Sequence, residues 1–360
     1  MIRSVVALAA LAVSLSLAAA TPTAVTAQGA RIKVGTCART LTAGVGGPFA
    51  VAMKLGYFQQ EGLDVEVVPL PGSTDCVKNV ATREFPYSLP SIEPLAIARP
   101  QGVKAKMFYT AYQNSSYGIA VPADSPVQAI KDLKGKKIGV TNMSSAGVII
   151  ARALAAENGL NPDTDINIVV AGEGAQPAAL LRSKQVDALS QFDTQYALVE
   201  IAGIKLRRLE AATIARYPAN GFIALEDTLK NRRKESIGLG RAYAKATIFT
   251  MTNPEAAVRI LYEVFPQTKP TGKDDATAVA DDVKVLESRI PAFRLEPAGV
   301  KRWGENSEKN YGAYVEFLLT YHVIKEKVPV ADLITNELID EINKFDAAQI
   351  VSQAKGYRAR

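Results

Sequence analysis

The sequence predicts an α/β protein of two lobes, each a largely parallel sheet flanked by helices, with a hinge between them and a helical C-terminal region. Three observations carry this. From residue 31 onward, short segments with strand-like apolar alternation take turns with amphipathic segments, the order that builds parallel sheets. The turn-rich cluster Pro122-Ala123-Asp124-Ser125-Pro126 then closes one such run and opens another on the same plan. Finally, Gly72 and Gly174, and likewise Ser88 and Ser190, stand 102 residues apart at matching points of the two runs. That is architectural repetition, with no claim about ancestry.

The elements follow in order. Residues 1–27 are predicted to be a cleaved export signal, with Arg3, an apolar run over 5–20 and small residues ending at Val25-Thr26-Ala27. Cleavage is expected after Ala27, with Ala20 as second choice. A membrane anchor is the alternative; Ser14 and Ser16 interrupt the run and no basic stop follows. The first lobe is predicted to hold strands at 31–36, 63–70, 85–89 and 104–111 and helices at 48–60, 75–83 and 93–101. Pro48 suits a first helical turn, since its missing N–H is not needed there. Gly44-Val45-Gly46-Gly47 then reads as a loop facing a ligand, and Glu61-Gly62 as the helix stop. Beyond 117–121 the second lobe is predicted to repeat the plan, with strands at 136–141, 165–170, 186–190 and 204–209 and helices at 144–158, 176–184 and 194–202. A strand at 220–225 returns to the first lobe, and helices follow at 228–250, 254–264, 274–289, 297–303, 307–322 and 330–353. Asn253-Pro254-Glu255 and Glu296-Pro297 are proline-led helix starts. The expected lobes are 28–114 with 218–360, and 115–217. The crossings near 112–118 and 212–220 are the expected hinges, and the last ninety or so residues a buttress for the first lobe.

Composition narrows the function. The 360-residue chain is 48% hydrophobic, enough for one large core or two medium ones. Its net charge of +6 is dispersed in small clusters such as Arg207-Arg208 and Arg232-Arg233-Lys234, which read as solvated faces and lack the basic stripe with interleaved aromatics of a nucleic-acid binder. One histidine, His322, placed on a late helix, and two cysteines cannot build the usual zinc sites. No phosphate-binding Gly-x-x-x-x-Gly-Lys motif is present, and Pro177 and Phe49 stand where a dinucleotide fingerprint needs its last glycine. No metal or cofactor is expected. Cys37 and Cys76 each follow a predicted strand, so a disulfide stapling two ligand loops is one reading and two buried thiols the other.

Gly56-Tyr57-Phe58, followed after three residues by Gly62-Leu63-Asp64-Val65, resembles the first-lobe signature of the periplasmic solute-binding proteins of the nitrate/sulfonate/taurine and thiamine-pyrimidine-precursor group. Asp132-Leu133-Lys134-Gly135-Lys136-Lys137-Ile138-Gly139-Val140 is similar to that family's entry into its second lobe, and Ala179-Leu180-Leu181 through Val186-Asp187-Ala188 to its later helix and strand. The resemblance implies a type II periplasmic-binding-protein architecture. It implies a soluble, monomeric periplasmic receptor, not an enzyme, that takes a sulfonate, carboxylate, nitrate or pyrimidine-like solute in an interlobe cleft and delivers it to the permease of an ABC transporter. Two alternatives share the fold: an exported enzyme acting on a similar solute, and a sensory module for a receptor kinase.

Ligands of open α/β sheets bind beyond the carboxyl ends of the strands, which makes the loops there the candidates. Asn142-Met143-Ser144-Ser145-Ala146-Gly147 opens an apolar helix, and Ser144, Ser145 and Ala146 would present backbone N–H groups to an anion. A plain N-cap is the other reading. Ser73, Thr74 and Asp75 make the corresponding start in the first lobe, and Arg39 offers a planar guanidinium to an oxyanion. Asp75, Glu93, Glu173 and Asp193 would instead accept from amino or ring N–H donors, or serve as caps and solvated charges. Ser91, Asn114 and Asn220 add polar groups at loop and hinge positions. Among Tyr109, Tyr112, Tyr117 and Phe192, Tyr112 and Phe192 are the expected cleft aromatics, while Tyr109 lies within a strand and is assigned to the core. The set is mixed and leaves the solute's charge open.

Overall fold

The computed structural model describes residues 31–358; the expected signal segment, 1–27, lies outside the described residues. Two five-stranded sheets make up its framework. The first contains β1 (Ile32–Thr36), β2 (Val65–Pro69), β3 (Tyr87–Leu89), β4 (Ala105–Thr110) and β10 (Gly221–Leu225), in the order β2-β1-β3-β10-β4. The second contains β5 (Tyr117–Pro122), β6 (Lys137–Val140), β7 (Asn167–Val170), β8 (Ala188–Phe192) and β9 (Leu206–Arg208), in the order β7-β6-β8-β5-β9. Ser88 in β3 and Ser190 in β8 thus occupy equivalent strands, as their spacing suggested.

Strand direction follows from where the chain crosses. β1 pairs in parallel with β2 and β3, with Ile32 opposite Val65 and Val34 opposite Tyr87, while β10 runs antiparallel to both β3 and β4. β5 runs likewise against β8 and β9. Each of these reversed strands enters its sheet directly from a crossing, and so must leave the cleft as the others approach it. The carboxyl ends of β1, β3, β4, β6 and β8 and the starts of β5 and β10 therefore gather at one seam.

The helices depart from expectation at several places, two of them simple splits: 228–250 is Glu226–Asn231 and Arg233–Thr252, and 48–60 is Ala43–Lys54 and Tyr57–Gln60. Gly44-Val45-Gly46-Gly47 is no loop: it lies inside the helix Ala43–Lys54, with Pro48 in its interior. Its glycines serve close packing. A Cβ on Gly44 would sit 2.7 Å from the Thr194 methyl and 2.8 Å from Arg289 Cβ, and one on Gly46 2.7 Å from Leu41. The helix expected over 297–303 is only the turn Glu296–Ala298, ended by Gly299 at φ 72°. The expected 330–353 helix is three pieces, Val330–Leu333, Ile339–Ile342 and Ala347–Gly356. Between them Asn336 and Asn343 bond to the backbone of Asn306 and Trp303, and Asp346 caps the last piece. His322 falls beyond the helix Glu308–Thr320, exposed in a left-handed turn at φ 58° and packed on no helix face.

The first sheet's core is aromatic: Phe49, Phe108, Tyr109, Phe222 and Tyr243 are all within 1% of full burial and meet mostly edge to face. Each contributes about 1.5–3 kcal/mol by burial. The C-terminal helices, expected to brace the first lobe, do more. Tyr311, Tyr314, Val315 and Leu318 of Glu308–Thr320 join one apolar cluster with Met107 and Ile223 of the first sheet and Ile119, Val121 and Ile138 of the second. The helix Asp275–Phe293 takes hydrogen bonds from the first crossing, Gln113 N–H to Ala292 O at 2.7 Å. Among the described residues no helix is long and apolar enough to cross a membrane.

Gly44→Ala forces a methyl into the junction of three helices, so we expect a loss of about 1–3 kcal/mol of unfolding free energy with an unchanged urea m-value. Urea titration followed by circular dichroism would check it; a neutral substitution would mean the helices can part without cost.

Candidate functional site

Loops at the carboxyl ends of the two sheets touch along the seam, largely through backbone groups. After β1, the N–H groups of Arg39 and Thr40 donate to the Glu173 carboxylate at 3.2 and 2.7 Å. Thr42 Oγ1 donates to Thr194 Oγ1 at 3.2 Å. Thr74 N–H donates to Ser144 O at 3.2 Å, and Asn142 Nδ2 to Pro71 O at 2.6 Å. At Gly72 the two loops are so close that a Cβ would lie 2.4 Å from Ser144 O. Cys37 and Cys76 form a disulfide with Cα atoms 5.9 Å apart. It ties the loop of Arg39 and Thr40 to the helix Ser73–Ala81, which carries Thr74.

Behind this seam lies a narrow cavity, lined by Cys37, Ala38, Val45 and Leu89 from the first lobe, Tyr112 and Asn220 from the crossings, Ser116, Tyr117 and Phe192 from the second sheet's end, and Arg289. About 20 Å³ is open to the centre of a water molecule, room for about one water. Tyr117 and Phe192 meet edge to face with centroids 5.8 Å apart. Arg289 stacks over Tyr112, 4.0 Å from the ring centre. Its Nε donates to Asp193 Oδ1 at 3.0 Å, its Nη2 donates to the same oxygen, and its Nη1 has no partner among the described residues. Burial, the largest influence, pulls the guanidinium down, but the Asp193 carboxylate and the Tyr112 hydroxyl more than offset it, so Arg289 holds its proton above its ordinary value. Burial pushes the Asp193 carboxyl up, against the pull of Arg289 and of Thr194 N–H.

The expected site residues fall into three groups. Tyr112, Phe192 and Asn220 line the cavity, with the Asn220 Nδ2 donating to Leu89 O at 2.8 Å. Arg39, Thr74, Ser144 and Glu173 belong to the seam, where Arg39 is exposed and contributes its backbone. Ser145 caps the helix Ala146–Glu157 by accepting from Gly147 N–H at 3.1 Å, and Ala146 is fully buried behind it. The rest lie outside the cavity lining. Ser73 Oγ accepts from Ser91 N–H at 3.2 Å, and the Asp75 Oδ2 is buried without a partner among the described residues. Asn114 turns from the cleft and donates to Pro291 O and Arg294 O. Asp193 faces Arg289.

Arg289 itself escaped the sequence reading. Its signal was present: Ala278, Asp282, Val285, Leu286, Arg289 and Phe293 recur at helical spacing and are buried. A charge in the middle of an apolar stripe needs a buried partner.

Residues 46–257 match the family described as NMT1/THI5 like. The chain belongs to this family. Among curated relatives, the riboflavin-binding protein RibY of Chloroflexus aurantiacus is 23% identical over 296 residues, covering 81% of this chain and 82% of that protein. Among solved structures, the alkanesulfonate-binding protein SsuA of Xanthomonas axonopodis pv. citri, bound to MOPS, superposes with a TM-score of 0.64 at 17% identity, over 85% of this chain and 98% of that one. The periplasmic nitrate-binding protein NrtA of Synechocystis PCC 6803 gives 0.60 at 14% identity, over 91% and 98%. These likenesses show the fold, which for this NMT1/THI5-like chain is the type II periplasmic-binding-protein architecture.

One further carboxyl sits close to the cavity wall in this family member. Glu93 is 1% exposed, with Tyr314 donating to its Oε1 and no partner for its Oε2 among the described residues. Burial, the dominant cause, raises its carboxyl above the ordinary range, opposed by Ser91 and Tyr314. The folded state thus holds this proton more tightly than the unfolded chain does. Its contribution is complete below the ordinary glutamate value of about 4.3 and declines as pH rises toward the folded value. Glu93→Gln keeps the shape without the titration, so its stability relative to wild type should rise as the pH is taken upward from about 4.3. Urea unfolding across that range would check it; a flat difference would show that Glu93 ionises equally in both states.

Proposed function

We propose that the protein is an exported, monomeric solute receptor whose lobes, 28–114 with 218–360 and 115–217, close about the two crossings on a small organic molecule, the closed form being presented to an ABC-transporter permease. The observation that carries this is the seam: groups of both lobes hydrogen-bond directly, Thr74 N–H to Ser144 O and the Arg39 and Thr40 N–H groups to the Glu173 carboxylate, next to a cavity built from both sheet ends and both crossings. Binding energy in such a device is differential. A solute that touches both walls favours the closed arrangement over the open one, and that difference performs the selection.

The family relatives named for riboflavin, alkanesulfonate and nitrate support a receptor of small solutes and leave the choice among sulfonates, carboxylates, nitrate and pyrimidine-like molecules to this chain's own lining. An enzyme would require a nucleophile beside a base. The lining offers Ser116, while Cys37 is held in the disulfide, and the receptor reading asks for neither. A thermal-shift screen of the mature protein against these four classes tests it, since a solute that binds only the folded form raises the melting temperature. A solute recovered unchanged establishes the receptor; one recovered chemically altered establishes an enzyme.

Closure itself has a separate test. Gly72→Ala sets a methyl against the Ser144 carbonyl, which cannot yield as a side chain would. We expect closure to cost about 1–3 kcal/mol more, a loss of about tenfold to a hundredfold in affinity, with unaltered circular dichroism. Isothermal titration with the solute found in the screen would measure it. Undiminished affinity would mean that binding does not require the seam to close.

A further inference from the structure

We infer, on the basis of the two-lobed receptor reading, that Arg289 and Asp193 form a latch between the lobes, joined in the closed arrangement and parted when the lobes open. The two residues belong to different cores. Arg289 lies on the helix Asp275–Phe293, whose Val279, Leu286 and Phe293 pack into one apolar cluster with Val34, Phe49 and Phe222 of the first lobe. Asp193 opens the helix Asp193–Ile201, whose Tyr196 and Val199 pack with Ala120 and Leu189 of the second sheet. The bond from Arg289 Nε to Asp193 Oδ1, at 3.0 Å, therefore runs from one lobe to the other, between side chains only 2% and 10% exposed. Among the described residues it is the one ion pair that joins 115–217 to the rest of the chain. The contacts beside it are uncharged: Thr42 Oγ1 donates to Thr194 Oγ1, and Gly44 leaves room for the Thr194 methyl group.

Each half of the pair keeps a partner of its own when the two separate. Asp193 accepts from Thr194 N–H at 2.6 Å and stands in the first turn of its helix, where the peptide dipoles favour a carboxylate. Arg289 lies over the face of Tyr112, and Tyr112 meets Phe293 of the same helix edge to face, with centroids 5.6 Å apart. Opening adds water to both charges. Closing removes that water again, and the attraction between the two ions roughly repays the loss. Such a pair fixes the geometry of closure with little bias of its own, which leaves the balance to the solute. A lone charge behaves differently. With one partner gone, closure encloses an uncompensated ion, whereas the open form hydrates it.

Small-angle scattering of the mature protein without solute, together with thermal melts followed by circular dichroism, tests the latch. Asp193→Asn and Arg289→Gln should each raise the radius of gyration, the closed-to-open ratio falling about a hundredfold or more. Their melting temperatures should stay close to the wild type, because the stray charge is hydrated once the lobes part. The double variant Asp193→Asn/Arg289→Gln has no charge to enclose and should return to wild-type scattering; Arg289→Lys, which keeps the pair of charges, should remain near it. Four results would each overturn the latch and leave the receptor reading in place: a wild type already as open as the single variants, unchanged scattering in both of them, loss of folded structure or of melting temperature in a single variant whose lobes stay closed, or a double variant as open as the single ones. A solute of the thermal-shift screen recovered chemically altered would remove the receptor reading and leave the latch.

Discussion

Much of this molecule's geometry depends on one buried ion pair, Arg289 with Asp193. The arginine comes from a C-terminal helix and the aspartate from the first turn of the helix after β8, so the pair joins the end of the chain to the second sheet at the cleft. Breaking such a pair from one side strands a charge and costs about 3–5 kcal/mol, although replacing both partners can be nearly neutral. Its worth therefore lies less in stability than in geometry. Asp193 holds the guanidinium over Tyr112, and Nη1 is left without a partner among the described residues. The same helix receives the first crossing through Gln113 and Asn114. One helix thus holds both the first crossing and an arginine of the cavity lining.

The seam in front of that cavity is made of a different material. Its bonds come chiefly from backbone N–H groups and carbonyls, at Arg39, Thr40, Thr74, Ser144 and Pro71. The partners facing them are mostly side chains, Glu173 and Asn142, so the fit depends on both loop shape and residue identity, and loop shape is held here by covalent means. The Cys37–Cys76 disulfide ties the loop that carries Arg39 and Thr40 to the helix that carries Thr74. Glycine at 72 completes the fit by leaving space for the facing carbonyl.

These two materials explain what could be read from the sequence. Nine of the ten strands were placed within a few residues, because β-branched alternation and the turns that bound it are local signals, while β5 (Tyr117–Pro122) was read only as the lead-in to a turn. The misread elements are those whose form is set by a distant neighbour. Gly44 to Gly47 resembles a loop by composition and is a helix because Thr194, Arg289, Leu41 and Leu261 press against it. The last helices break where Asn336, Asn343 and Asp346 find backbone partners, two of them across the fold. In the site, loops at strand ends were legible from topology, whereas the division of labour among them was not. Thr74 looks like an anion donor until the opposing lobe takes its N–H at Ser144 O, and the Ser144 N–H is taken by Asn142 Oδ1 in its own loop.

The buried charges show what a sequence can disclose when the right question is put to it. Arg289, Asp193 and Glu93 are each almost wholly enclosed, and each has a cause visible only in three dimensions. Asp193 exists for Arg289, while Glu93 is sheltered with Tyr314 on the helix that stacks against Tyr217 of the second crossing. A polar group within an apolar stripe is a statement that some partner must exist, without naming it. At Arg289 the partner accounts for Nε and Nη2 and leaves Nη1 unpaired among the described residues, a remainder that a sequence pattern cannot foretell.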